Sequence, residues 1–161
     1  RIGPAALTTG QTLAVGDARD AAAGEVPDHT PPALPKAGET VVLDVVMGPR
    51  TDWFTPEAVA LFAAQRWQVT PQSNRVGLRL AGEEALVRSQ TQELPSEGTA
   101  LGAIQVPASG QPVLFLADHP LTGGYPVIAC IASYHLDLAA QVPVGGWLQF
   151  RPLAPFADLV G

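Results

Sequence analysis

Residues 116–130 read Leu-Ala-Asp-His-Pro-Leu-Thr-Gly-Gly-Tyr-Pro-Val-Ile-Ala-Cys, and the rest of the chain is organised around them. Apolar runs typical of β-strands, 112–116 and 127–132, lie on either side of a polar loop. The loop displays a carboxylate, an imidazole, a hydroxyl and a phenol, and two prolines stiffen its backbone. Such a loop cannot bury its own polar groups, so it runs over the surface between the strands. The stretch predicts a β-protein with part of a functional site here.

Gly123 and Gly124 give this loop a special backbone, either through positive φ angles or through close approach to another group. A purely structural interpretation is also available, in which Asp118 hydrogen-bonds its own backbone and the segment is a well-formed turn. The loop alone does not decide between a binding site and a turn.

The composition excludes several classes of function. The chain has 161 residues, a formal net charge of -6 and a single cysteine, Cys130. The acidic balance, with no basic cluster, argues against nucleic acid, and no apolar run is long enough to cross a membrane. One cysteine allows no internal disulfide and favours a reducing, cytoplasmic compartment, where Cys130 is expected to be a small core residue.

The order of strand and helix signals predicts a mainly β fold. Thr40–Met47 is a β-branched strand interrupted only by Asp44, which must face outward or be paired. Thr55 and Pro56 suit the N-cap and first position of a helix that ends near Gln65. Further strands are predicted at 66–70, 76–80, 102–107, 112–116, 127–132 and 146–151, with one or two helical turns at 134–140.

Seven to nine short strands and one good helix are typical of a small barrel or sandwich capped by a helix. In strand 76–80, Val76, Leu78 and Leu80 are expected on the buried face and Arg79 on the other. Residues 1–39 form a separate N-terminal segment with a proline-rich linker at 28–35, residues 40–161 form the main domain, and residues 152–161 end in a loose turn.

No self-sufficient catalytic motif is present. The three histidines are far apart in sequence and suggest no metal site, and neither a phosphate-binding glycine loop nor a Gly-x-Ser-x-Gly motif occurs. What remains is a set of polar residues in loops and at strand ends, which converge at one mouth of a barrel. They are Ser73, Asn74, Arg75, Ser96, Glu97, Gln105, Asp118, His119, Thr122 and Tyr125.

These residues allow alternative interpretations. Arg75 suits bidentate binding of a carboxylate or a surface ion pair, and Glu97 or Asp118 suits a base or a solvated turn. Gln105 interrupts an apolar strand, so its amide binds a ligand or forms a cross-strand hydrogen bond. His119 is expected to be exposed.

Ordered motifs connect the same residues to a known family. Residues 48–55, 73–82, 96–98, 102–112 and 118–126 together resemble the biotin-dependent carboxyltransferase family, also called allophanate hydrolase subunit 2. The resemblance runs from about residue 41 to 151. Five motifs in the right order are far more specific than one short motif.

The resemblance implies a cyclophilin-like β-barrel and the C-terminal half of a protein roughly twice this length. It also implies work with partner subunits, either 5-oxoprolinase subunits or an allophanate hydrolase subunit 1-like chain. The activity implied first is ATP-dependent opening of the lactam of 5-oxoproline to glutamate. The second possibility is transfer of a carboxyl group to urea or a similar small amide, with carboxybiotin carried by a partner. The third is a non-catalytic role, in which the chain is a module that antagonises a kinase inhibitor.

The site predicted under the first activity has two parts. Asp118 or Glu97 positions a nucleophile or a proton, and Arg75 with Gln105 binds the substrate carboxylate and amide. The pocket around them is predicted to be completed by Ser73, Asn74, Thr122, Gly123, Gly124 and Tyr125. A structure in which these groups lie at opposite ends of the barrel would exclude a shared site.

Overall fold

A computed structural model describes residues 5–16 and 33–153, and the chain divides into two units, Arg1–Pro32 and Ala33–Gly161. In the first unit, residues 5–16 form no helix or strand. Most of the predicted linker, 28–35, and nearly all of the predicted tail, 152–161, lie outside the described residues. Residues 33–39 belong to the second unit, where the Gly38 N–H donates to the carbonyl of Gly145 at 3.0 Å.

The second unit is a closed β-barrel of seven strands, which confirms the predicted mainly β barrel. The strands are β1 Thr40–Met47, β2 Trp67–Val69, β3 Gly77–Ala81, β4 Glu97–Gly98, β5 Ala103–Gln105, β6 Val113–Phe115, β7 Thr122–Gly123, β8 Val127–Ile131 and β9 Trp147–Pro152. Around the barrel they run in the order β1, β8, β5, β6, β3, β2, β9, and β9 closes on β1 through a parallel pair. The two remaining strands, β4 and β7, form a separate two-stranded sheet.

Helices are few in the described residues. The α-helices are α1, Pro56–Ala64, and the short α2, Leu136–Ala140, with single 3-10 turns at Thr51–Trp53 and Ser133–His135. As predicted, Thr55 caps α1, and its Oγ1 accepts from the Ala58 N–H at 3.2 Å. Gln65 ends the helix as its C-cap.

Alternation along the strands fills the barrel with apolar side chains. Leu78, Leu114, Ile104 and Ala129 are successive partners across β3, β6, β5 and β8, and none is more than 5% exposed. Helix α1 packs on this core through fully buried Phe62, whose ring stacks on Phe150 of β9 with 4.6 Å between the ring centroids. The core is therefore complete without help from the polar residues of the predicted site.

Several sequence predictions need correction. Val76 is 42% exposed rather than buried, because β3 begins one residue later, at Gly77. Cys130 is half-buried on β8 rather than a core residue, and burial raises the pKa of its thiol. Residues 97–98 and 122–123, both predicted as loop, pair as β4 and β7.

Asp44 interrupts the apolar strand β1 because its buried carboxylate is the centre of a polar network at the barrel surface. Its carboxylate accepts from the Tyr134 hydroxyl at 2.7 Å and from Arg151 Nε at 2.5 Å, and only 5% of the residue is exposed. The Nδ1 of His135 accepts from the Asp44 N–H at 2.9 Å. The network ties the 3-10 turn after β8 to β1 and β9, and hydrogen bonds from Arg151 and Tyr134 lower the pKa of Asp44 to about 2.

Replacing Asp44 by Asn is expected to lower the urea midpoint at pH 7, because Arg151 then loses its charged partner. The pKa of Asp44 lies below its ordinary value of 3.8, so folding favours the ionised form. Its stabilisation is present above about pH 4 and is lost as the pH falls towards 2. Urea unfolding between pH 2 and 7 should show wild type and D44N converging at the acid end. The control D137N removes an exposed carboxylate, and an equal loss of stability at pH 7 in D137N would contradict this role.

Candidate functional site

An open cleft of about 350 Å³ lies on the outer face of the barrel, over β3, β6 and β5. One row of cross-strand partners crosses it: Arg79 is paired with Val113, and Val113 is paired with Gln105. Side chains of directly opposed residues point to the same side of a sheet. A guanidinium, an isopropyl group and a primary amide therefore line one cleft in that order.

The floor of the cleft, formed by Val113 and Phe115, belongs to a second apolar cluster that is distinct from the core. Ala103, Val113 and Phe115 are at most 7% exposed, and Val127 packs against them. A bulge in β8 produces this arrangement, because Ile104 is paired with Ala129 but Gln105 is paired with Val127. The extra residue keeps Ile128 in the core while Val127 turns outward. The barrel thus has apolar residues on both faces at this point.

The loop between β6 and β8 forms the wall, together with the two-stranded sheet of β4 and β7, hereafter the flap. Pro120, Gly123, Gly124 and Tyr125 line the cleft. Neither glycine has a positive φ, and close approach is the reason for glycine at position 123 but not at 124, where a Cβ would be in ordinary contact with Leu94. A Cβ on Gly123 would lie 3.3 Å from Gln105 Oε1 and 3.2 Å from Thr99 Cγ2. The absence of a side chain therefore leaves room for the Gln105 amide.

Half of the predicted site residues line this cleft and the rest are their immediate neighbours. The lining residues are Asn74, Gln105, Gly123, Gly124 and Tyr125. Ser73, Arg75 and Thr122 adjoin lining residues in the chain, Glu97 is paired with Gly123 across the flap, and Asp118 lies two residues before Pro120. The Ser73 hydroxyl accepts from the Arg79 N–H at 2.9 Å. The groups are neighbours in space, and their roles stay predictions.

Arg75 forms an ion pair with Asp118 outside the lining of the cleft. Arg75 Nε lies 3.1 Å from Asp118 Oδ2, and a second nitrogen lies 3.3 Å from Oδ1. The Arg75 side chain is 86% exposed, so water screens the pair and it adds little stability. The surface ion pair is the interpretation of Arg75 that this geometry favours, and Arg79 is the guanidinium in the cleft.

Glu97 is held by Arg50, which the sequence pattern did not connect to it. Arg50 Nε donates to Glu97 Oε2 at 3.1 Å, and a second Arg50 nitrogen contacts the other oxygen. This bidentate hydrogen bonding lowers the pKa of Glu97, so its carboxylate is ionised near neutral pH. The pair fastens the flap to the turn that follows β1.

Two aromatic side chains of the loop have partners that the sequence did not reveal. His119, predicted to be exposed, is half-buried and stacks on Phe115 with 5.7 Å between ring centroids. Arg88 lies 5.8 Å from the Tyr125 ring centroid and donates to the carbonyl of Val106 at 2.9 Å. The Nε atom of Arg88 is buried and has no hydrogen-bond partner in the described part of the chain. Both contacts hold the loop against the barrel.

Within residues 5–16 and 33–153, no group of three or more histidine, cysteine, aspartate or glutamate side chains is arranged to hold a metal ion. None of the helices in these ranges is long and apolar enough to span a bilayer.

Comparison with known proteins identifies the class to which this barrel and cleft belong. The family model of the carboxyltransferase domain, subdomains A and B, matches residues 1–152. The chain therefore belongs to the carboxyltransferase-domain family, as its ordered motifs indicated.

Individual relatives fall into two groups. The 5-oxoprolinase subunit designated C, from Escherichia coli K12, is 41% identical over 103 residues, which are 64% of this chain and 33% of that protein. Urea amidolyase of Saccharomyces cerevisiae is 31% identical over 145 residues, 80% of this chain and 8% of that protein. Among solved structures, urea amidolyase of K. lactis matches with a TM-score of 0.69 and 28% identity, covering 76% of this chain and 8% of that chain. The chain thus spans at most a third of the length of these relatives.

Replacing Gly123 by Ala is expected to displace the Gln105 amide, because the new methyl group would crowd Oε1 and Thr99. In nitrogen-15 spectra, the Gln105 side-chain NH₂ resonances should shift while core resonances stay in place. A Cβ on Gly98, in the opposing flap strand, would have nothing within 4 Å of it, so G98A is the matched control. Unchanged Gln105 resonances in G123A would contradict the packing argument.

Replacing Arg50 by Met is expected to loosen the flap, because Glu97 would lose its bidentate partner. The Thr99 N–H, which donates to the Leu121 carbonyl at 2.9 Å, should exchange with deuterium faster. The N–H of Leu80 in the barrel, which donates to Pro112, should keep its wild-type rate and serves as the internal control. Equal acceleration at both sites would mean that Arg50 stabilises the whole barrel instead.

Proposed function

We propose that this chain supplies the small-molecule cleft of a subunit in an ATP-dependent amide hydrolase complex, with 5-oxoproline as substrate and glutamate as product. The observation that carries the proposal is the Gln105 amide, which lies in an apolar-floored cleft without a hydrogen-bond partner among the described residues. A primary amide can donate to a lactam carbonyl and accept from a lactam N–H. The 41% identity to a 5-oxoprolinase subunit supports the choice of lactam. We place the complex in the cytoplasm, as the single cysteine favours.

The described residues do not fit ATP in this cleft. Its cation is one arginine, and the sequence contains one lysine, Lys36, which is not part of the lining. A triphosphate normally binds several backbone N–H groups and a lysine in a glycine-rich loop. We therefore assign ATP to the partner subunits, and this chain to binding the amide.

The candidate catalytic carboxylates differ in their surroundings. Pairing with Arg50 lowers the pKa of Glu97, which weakens this carboxylate as a base and suits it to an electrostatic or positioning role. The Asp118 side chain is 46% exposed and paired with exposed Arg75. Closure by a partner subunit would remove water from both pairs and strengthen them.

A second function is supported by the urea amidolyase relatives, which match a larger share of the chain. In that case the cleft holds a small amide that receives a carboxyl group from carboxybiotin on a partner. Such a reaction would require a biotinylated chain, which 5-oxoproline hydrolysis does not.

Mixing this chain with 5-oxoprolinase partner subunits, ATP and 5-oxoproline is expected to release glutamate. Glu97→Gln and Asp118→Asn should each lower kcat, and the substitution that touches the reacting atoms should lower it by about 10²-fold or more. The control is E83Q, which removes an exposed carboxylate that is not part of the lining.

The alternatives give different results in the same assay. Carboxylated product that appears only with a biotinylated partner would favour carboxyl transfer. A stable complex with no turnover of any amide would favour a regulatory module. Wild-type rates in both E97Q and D118N would remove these residues from the reaction.

A further inference from the structure

We propose that Arg79 selects the ligand of this cleft, and that the ligand is a small molecule carrying a carboxylate at one end and an amide at the other. The inference deepens the proposed function, on which it rests, and assigns the carboxylate to Arg79 rather than to Arg75. Neutral amides such as urea would lack the group that Arg79 binds.

The spacing of the two polar groups defines the kind of ligand. Arg79 and Gln105 are separated by two strand spacings, roughly 10 Å along the sheet, with Val113 between them. A small molecule with one polar group at each end can bridge two side chains at that separation. The buried Val113 side chain offers an apolar surface to the body of such a molecule.

Both polar groups are available for a ligand. The backbone of Arg79 forms hydrogen bonds with the hydroxyl groups of Ser73 and Thr70. Its guanidinium, by contrast, has no hydrogen-bond or ion-pair partner among the described residues. The Gln105 amide likewise has no hydrogen-bond partner in residues 5–16 and 33–153, although the residue is half-buried. Arg75, by contrast, already holds a carboxylate.

The charges around the cleft also favour an anion at Arg79. Two carboxylates adjoin the lining residues: Asp118 lies two residues before Pro120, and Glu97 is paired with Gly123 across the flap. Each forms an ion pair with an arginine other than Arg79. A planar guanidinium binds a carboxylate through two parallel hydrogen bonds, which a neutral amide cannot reproduce. The cleft therefore discriminates by charge first and by the amide second.

The test is a nitrogen-15 NMR titration of the intact chain with three probes: 5-oxoproline, 2-pyrrolidinone, which is the same lactam without the carboxylate, and urea. We expect 5-oxoproline to shift the Arg79 Nε–H and the Gln105 NH₂ resonances together. R79Q should weaken 5-oxoproline binding at least about tenfold and change 2-pyrrolidinone binding less than about twofold. R66Q removes an exposed arginine stacked on Trp147, away from the lining, and is the charge-matched control.

Each outcome decides the inference. Equal affinity of wild type and R79Q for 5-oxoproline, equal losses in R79Q and R66Q, or no binding of 5-oxoproline to wild type would overturn it. Preference for urea would also overturn it. If binding depends on Arg79 but the reconstituted complex releases no glutamate, the proposed function fails while the inference stands. If the complex containing R79Q releases glutamate with the wild-type KM, the inference fails while the proposed function stands.

Discussion

The pairing of β6 with both β3 and β5 is the constraint on which the cleft depends. Because Val113 is the direct partner of Arg79 on one side and of Gln105 on the other, the register alone sets the separation of the two polar groups. A slip of one residue would turn Leu114 outward and Val113 into the core. The fully buried row through Leu114 makes that slip costly, so the core protects the site geometry.

The barrel was predictable from the sequence because period-two alternation and turn residues are local signals. Thr55 and Pro56 marked the start of α1, and the alternation of Leu78, Arg79 and Leu80 already placed Arg79 on the outer face. The short strands of the flap carry no such signal, since two residues cannot show a period. The Asp44 network escaped prediction for another reason: Tyr134 and Arg151 are far from it in sequence, and only barrel closure brings them together.

The sequence grouped half of the predicted site residues with the cleft that they line, and the roles of these residues stay predictions. Residues in loops and at strand ends converge, so Asn74, Gln105 and Tyr125 could be grouped before their contacts were known. The sequence did not reveal which arginine pairs with which carboxylate. Arg50, Arg75 and Arg79 look alike in sequence, yet two of them hold carboxylates and one faces the cleft, which depends on strand faces and loop paths.

That division among the three arginines gives the cleft its electrostatic character. Pairing Arg50 with Glu97 and Arg75 with Asp118 neutralises the acidic side chains beside the opening, in a chain whose net charge is -6. Each of these two carboxylates is already held by its own arginine, and Arg79 has no acidic partner among the described residues. The pairs do more than brace surface loops, because they leave one guanidinium, beside an apolar floor, without a partner among the described residues. Under the proposal for Arg79, an acidic protein keeps a local site for an anion in this way.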